Sequence, residues 1–237
     1  MSPSRRARLA ELFAKPFAHR GLHGAGIMEN SRAAFRAAIE AGHGIELDVQ
    51  ASGDGEAIVF HDYDLARLTD VQGRLAATSA AALGAIPLRG EREGLPRLAE
   101  ILALIGGRVP LLIEVKSPGR RVGVLSRAVA RALDTYKGPV AVMSFNPGVP
   151  CWFSRHRPKV LRGLVVTEEG NPRRGSLKRK LSLWWSQADF LAYDIRDLPS
   201  HFAAASGLPV GTWTVRTEAQ RANAAEHADQ IIFEQQP

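Results

Sequence analysis

Short apolar, β-branched runs alternate with segments of helical period along the chain. Eight runs read as strands, at 17–19, 44–48, 110–116, 139–144, 161–166, 189–193, 209–214 and 230–234. Around them, apolar positions recur at helical spacing over 31–41, 95–105, 122–136, 150–156, 177–187, 200–206 and 218–227. This alternation predicts a parallel sheet with helical crossovers. Eight strands in 237 residues predict an α/β fold of the (β/α)8 TIM-barrel type, with its working face at the C-terminal ends of the strands.

One segment breaks the rhythm. Residues 50–55 and 57–61 are extended runs with no room for a helix between them, and Gly53-Asp54-Gly55 is a turn signal. A β-hairpin here returns His61 to the neighbourhood of Glu46 and Asp48. Residues 62–94, punctuated by Gly73, Gly84, Pro87, Gly90 and Gly94, then form a small insertion after the second strand. The chain, 1–237, is expected to be one barrel domain carrying that insertion. Asn30 or Ser31 is placed to cap the helix after the first strand. Residues 4–14 are helix-prone and are expected to close the bottom of the barrel, because the chain ends three residues after the eighth strand.

Composition adds limits. Apolar residues make up 45% of the chain, and the net charge of +7 favours anionic partners without naming one. The single cysteine, Cys151, excludes an internal disulfide and reads as a small buried hydrophobe. Glu11 and Lys15 interrupt the apolar positions near the N-terminus. No run approaches the roughly 18 apolar residues of a membrane span, so a cytoplasmic location is expected.

The chemistry concentrates at strand ends. Glu46 and Asp48 lie two apart on one strand, so their side chains share a face. Glu114 comes from the next barrel strand in chain order. Three carboxylates alone in one pocket repel and raise each other's pKa. A divalent cation removes that penalty, and three hard oxygen donors suit Mg²⁺ or Ca²⁺ better than Zn²⁺. Arg20 and Lys116 then supply charge for a phosphodiester, Arg20 by a fork to phosphate oxygens. His19 and His61 titrate near neutral pH. A phosphodiester reaction needs one group to deprotonate the nucleophile and one to protonate the leaving alkoxide, and two histidines on opposite sides of the phosphate meet both needs. Each element alone has a plainer reading. A strand-end histidine is commonly scaffold, and Glu114-x-Lys116 by itself is a surface ion pair worth about 0–1 kcal/mol. Their order and their convergence on one barrel face make the case.

The residues that carry a resemblance are His19-Arg20-Gly21, Glu29-Asn30, Glu46-x-Asp48, Asp54-Gly55, His61-Asp62 and Glu114-x-Lys116, with weaker echoes in Ser144-Phe145 and Trp213-Thr214-Val215. In this order the chain resembles the glycerophosphodiester phosphodiesterase family over nearly its whole length. The resemblance implies a barrel with a small insertion after the second strand and a metal held by Glu46, Asp48 and Glu114. It implies acid and base roles for His19 and His61, with Arg20 and Lys116 on the phosphate of a small glycerophosphodiester. It also implies a route in which the glycerol 2-hydroxyl attacks phosphorus, expels the head-group alcohol and leaves a cyclic phosphate for water to open. Met28 stands where the family often has proline, and Phe233-Glu234 where it usually has Thr-Asp. Trp213, at the end of the seventh strand, reads equally as a wall of the substrate pocket or as core.

A basic aromatic segment, 173–185, runs from Arg173-Arg174 through Lys178-Arg179-Lys180 to Trp184-Trp185. It reads first as a solvated loop entering a helix whose tryptophans pack on the barrel, and second as a weak contact with an anionic membrane surface. No nucleic-acid recognition motif accompanies it. Two other functions compete with the hydrolase: a related barrel phospholipase acting on lysophospholipids at a membrane surface, and a non-catalytic binder of phosphate ligands.

Overall fold

The computed structural model describes residues 2–169 and 175–235. Its strands are β1 (Phe17–Ala18), β2 (Gly44–Ala51), β3 (Ala57–Val59), β4 (Leu111–Val115), β5 (Val140–Ser144), β6 (Leu161–Val166), β7 (Phe190–Asp194), β8 (Val210–Val215) and β9 (Gln230–Phe233). All but β3 pair in parallel around a closed ring, in which β1 joins both β2 and β9. This is the expected (β/α)8 barrel. Because β1 pairs only with Gly44 and Ile45, the far half of β2 has a free edge. The antiparallel β3 takes it, with Val59 opposite Val49, and so makes the expected hairpin. Gly55, at φ +84°, turns the chain, and Asp54 accepts hydrogen bonds from Ser52 Oγ and the Ala80 N–H.

The helices are α1 (Pro3–Leu12), α2 (Arg32–Glu40), α3 (Ala80–Leu83), α4 (Leu98–Ile105), α5 (Gly123–Ala132), α6 (Gly148–His156), α7 (Ser176–Ser186), α8 (His201–Ser206) and α9 (Glu218–His227). Ser31, not Asn30, caps α2, its Oγ accepting from the Ala34 N–H. Helix α4 begins three residues later than its pattern suggested. Leu95 is buried in the insertion instead, and Pro96 accepts from the Val59 N–H. Helix α5 ends at Ala132 rather than 136, where the chain tightens into three-residue hydrogen bonds from Asp134 to Arg131 and from Tyr136 to Leu133.

Three apolar clusters result. The largest lies between the strands and the surrounding helices and includes Phe35, Ile113, Phe153 and Leu191. A second fills the lower barrel, where Leu9 and Leu12 of α1 meet Phe17, Leu112, Met143, Phe190 and Ile232. Helix α1 therefore closes the bottom. The third belongs to the hairpin and the insertion, with Ile58, Phe60, Leu65, Leu75, Leu83 and Leu95. Cys151 is buried, as its type suggested. No helix among the described residues is long and apolar enough to cross a membrane.

The favoured reading of the basic aromatic segment is corrected. On α7 it is Leu183 that packs on the barrel's outer core and Ser186 that is buried, while Trp184 is 74% exposed and Trp185 49%. Both fall on the face that the helical period turns away from Leu183, and of the two only Trp185 keeps a contact with the barrel helices, its ring tip standing by Gly148 of α6. Arg173 and Arg174 lie outside the described residues.

Candidate active site

The two-residue period of the strands builds the site. On four strands an apolar inward position low in the barrel is followed by a polar one, while β5, β6 and β8 bring Phe145, Val165 and Trp213 to the cleft. Phe17 is followed by His19, Leu112 by Glu114, Ala192 by Asp194 and Ile232 by Glu234. On β2 the lower position is Gly44, where a Cβ would come within 2.7 Å of the Phe17 ring, and Glu46 and Asp48 follow above it. The upper layer opens into a cleft of about 370 Å³. His19, Arg20, Glu46, Asp48, His61, Glu114, Lys116 and Trp213 all line it. Every site residue picked from the sequence is therefore brought to one cavity. Trp213 is a cleft wall, with its Nε1–H donating to the Ala192 carbonyl and its ring edge-on to Phe145.

Glu46, Asp48 and Glu114 each offer an oxygen, all within 4.8 Å of one another. Glu46 and Asp48 are each 1% exposed. Burial, then the charges of Asp48 and Glu114, raise the Glu46 carboxyl well above its ordinary range. Burial and Asp48 push Glu114 up to about 7. Asp48 responds the other way. Burial opposes its charge, but Lys116 and Arg20 more than offset this and hold it below its usual value. Lys116 Nζ stands 3.3 Å from both Asp48 Oδ1 and Glu114 Oε1, and Arg20 Nε stands 3.3 Å from Asp48 Oδ2. Asn30 Nδ2 donates to Asp48 Oδ2 at 3.0 Å, which takes that side chain from the capping position. Two carboxyls forced toward their protonated forms at such spacing fit a divalent cation, whose charge would restore both as hard oxygen donors.

A tight turn delivers the His-Arg-Gly group. Arg20 adopts φ +55° and Gly21 φ +78°. The Arg20 N–H donates to Glu46 Oε2 at 3.0 Å. A Cβ on Gly21 would meet Ala34 Cβ at 2.8 Å, so close approach and backbone both require glycine. His19 Nδ1 is 2.5 Å from Glu234 Oε1, and Arg216 Nε donates to Glu234 Oε2 at 2.6 Å. These contacts hold Glu234 at about 2 against burial. His19, His23 and Glu234 form a second group that can meet around a cation, but Glu234 is already matched by His19 and Arg216.

His61 is backed in the same way. Its Nδ1 is 2.6 Å from Asp62 Oδ1, and Arg67 of the insertion pairs with Asp62 Oδ2. Arg67 also donates to Glu29 at 2.7 Å, and Glu29 accepts from Arg20 at 2.8 Å. The insertion thus ties the hairpin histidine to the arginine of the first turn. Burial lowers both His19 and His61 below the ordinary imidazole value, against the pull of Glu234 on one and of Asp48 and Asp62 on the other. Burial opposes the Asp62 charge, but Arg67 and His61 hold it at about 2. Sequence reasoning missed Glu234, Asp62 and Arg67 as partners of the site. The pairing of His61 with its immediate neighbour was open to it; the other contacts depend on barrel closure and on the path of the insertion.

A wider groove of about 1310 Å³ adjoins the cleft and shares Glu114, Lys116 and Phe145 with it. It runs outward along α7.

Residues 19–232 match the model of the glycerophosphoryl diester phosphodiesterase family. The chain is 34% identical over 139 residues to a glycerophosphodiester phosphodiesterase of Caldanaerobacter subterraneus subsp. tengcongensis. That match covers 54% of this chain and 57% of the relative, so the chain spans little more than half the length of that protein. An uncharacterized Bacillus subtilis protein is 48% identical over 165 residues, covering 65% of this chain and 67% of its own length. Among solved structures, an Oleispira antarctica phosphodiesterase in complex with the product sn-glycerol-3-phosphate superposes with a TM-score of 0.78 at 24% identity, covering 92% of this chain and 91% of that one. At that identity the likeness shows the fold.

Proposed function

The chain belongs to the glycerophosphoryl diester phosphodiesterase family, and from that premise we propose that it hydrolyses glycerophosphodiesters to glycerol 3-phosphate and an alcohol. The observation that carries this reading is the meeting of three carboxylates, two cations and two carboxylate-backed histidines around one cleft. We take the barrel, with the insertion at about 62–94, as one catalytic domain.

Glu46, Asp48 and Glu114 would hold one divalent ion, Mg²⁺ or Ca²⁺. Bound there, it supplies positive charge beside a phosphate oxygen and acidifies a nearby hydroxyl. Arg20 and Lys116 bind the remaining phosphate oxygens. One imidazole of the His19–His61 pair takes the proton of the glycerol 2-hydroxyl as its oxygen bonds to phosphorus. The other gives a proton to the leaving alkoxide as the P–O bond to the head group breaks. The product of this half is a cyclic phosphate. Water then opens it with the two proton transfers reversed, giving glycerol 3-phosphate and restoring both imidazoles. Glu234 and Asp62 orient the rings through Nδ1, which leaves each Nε2 for the transfer. Trp213 walls the head-group side.

The test is to supply glycerophosphocholine, glycerophosphoethanolamine and glycerophosphoglycerol with Mg²⁺ or Ca²⁺ and to measure glycerol 3-phosphate. Stoichiometric release of glycerol 3-phosphate and alcohol from at least one is expected. Absence of product from all three with either ion overturns the proposal.

A further inference from the structure

Helix α7 presents an apolar stripe that the fold leaves largely open, with only the ring tip of Trp185 reaching Gly148 of α6. Leu177, Leu181, Trp184 and Trp185 are 70, 57, 74 and 49% exposed. They stand at i, i+4, i+7 and i+8, so at about 100° per residue they share one face. The exposed Lys178 and Lys180 flank that stripe on either side. The opposite face is the one that docks, through Leu183 and Ser186. The helix carries no acidic residue.

The surroundings share this character. Lys178, Leu181, Trp184 and Trp185 line the groove that adjoins the catalytic cleft, and the exposed Arg120 and Arg155 line it too. Among the described residues, the only carboxylate lining the groove is Glu114, where the groove shares residues with the cleft. An apolar stripe with tryptophans, bordered by lysines, is the make-up of a helix that lies in the plane of a bilayer interface. Self-association is disfavoured by the same charges, because a two-fold contact through this stripe sets each pair of lysines against its copy.

We propose that the α7 face docks the protein on an anionic lipid surface, with Leu177, Leu181, Trp184 and Trp185 entering the interface and Lys178 and Lys180 meeting lipid phosphates. Docking in this way turns the groove, and through it the catalytic cleft, toward the headgroup layer. The proposal goes beyond hydrolysis, and its test does not use turnover.

The experiment is co-sedimentation of the full chain with phosphatidylcholine vesicles, with and without phosphatidylglycerol. Binding is expected to the phosphatidylglycerol vesicles and to weaken as salt screens the lysines. The Lys178→Glu/Lys180→Glu variant is expected to bind about 25-fold more weakly or worse, at about fivefold per basic residue. The Leu181→Ser/Trp184→Ser variant is expected to lose about tenfold or more. Surface changes of this kind leave the melting temperature near that of the wild type, which shows each variant folded. No binding to phosphatidylglycerol vesicles, equal binding to both vesicle types, or unchanged binding by either variant overturns the proposal. So does a concentration-dependent dimer that Trp184→Ser abolishes, which would assign the face to a second copy of the chain.

Discussion

On β1, β4, β7 and β9 the lower and upper inward positions of the barrel, about 6.6 Å apart along each strand, are chemically opposite. Below, Phe17, Leu112, Ala192 and Ile232 close on Leu9 and Leu12 of α1. Above, His19, Glu114, Asp194 and Glu234 occupy the next inward positions, with Glu46, Asp48 and Lys116 beside them. The lower half removes apolar surface from water, so it stabilises the fold. In the upper half, burial lifts Glu46 and Glu114 against their own charge, which costs stability while no cation is bound. One barrel thus separates what holds it together from what it does by a single step of the pleat.

Substitutions in the two layers should therefore separate stability from activity. The largest effect is expected from Glu46→Gln or Glu114→Gln. Each should lower turnover on the order of 10³-fold, the several kcal/mol that an ion adds at the phosphate, and should weaken metal binding measured by calorimetry. Neither should lower the melting temperature of the ion-free protein near neutral pH, because each removes part of a buried repulsion. Next come His19→Ala and His61→Ala, expected to cost roughly 10²–10⁴-fold in turnover with metal affinity little changed. Loss of metal binding in a folded His61→Ala protein would instead make that histidine a ligand. In the lower layer the pattern inverts. Leu112→Ala should cost about 2–5 kcal/mol in denaturant unfolding, while turnover measured well below the melting temperature stays within a few-fold of wild type.

A smaller effect is expected from pH. Glu114 sits at about 7 in the ion-free fold, above the roughly 4.3 of an unfolded glutamate. Between these values the folded state holds more protons, so its stability contribution is present below about 4.3 and is lost as pH rises through about 7. The melting temperature of chelated protein should fall over that window. Added divalent ion should reverse the fall above it, because deprotonated carboxylates bind the ion. Asp62 and Glu234, held at about 2, act with the opposite sign but only at lower pH.

The layering explains what the sequence could reveal. The barrel was legible because its strands are short apolar runs, four of which carry a polar residue at the same inward level, and the hairpin because Gly53-Asp54-Gly55 favours a tight turn between two extended runs. The upper layer was legible as residue types at strand ends. Its supporting contacts were not. The His19–Glu234 pair joins positions 215 residues apart, and only closure of β9 onto β1 brings them together. Arg67 reaches Asp62 and Glu29 from an insertion whose path no periodicity encodes. The face of α7 was misread for a related reason. Leucines occur on both sides of that helix, Leu177 and Leu181 beside the tryptophans and Leu183 opposite them, so its pattern does not say which side turns inward, and packing at Leu183 decides it.

The most direct measurement of the central claim, that the upper layer holds a cation beside a phosphodiester, is glycerol 3-phosphate release from glycerophosphocholine across a divalent-ion titration. Wild type and Glu114→Gln would be compared after exhaustive chelation. The expected result is no release by either protein without the ion, saturable recovery in the wild type, and little recovery in Glu114→Gln. Full turnover by the chelated wild type, or equal recovery in the two proteins, would contradict it.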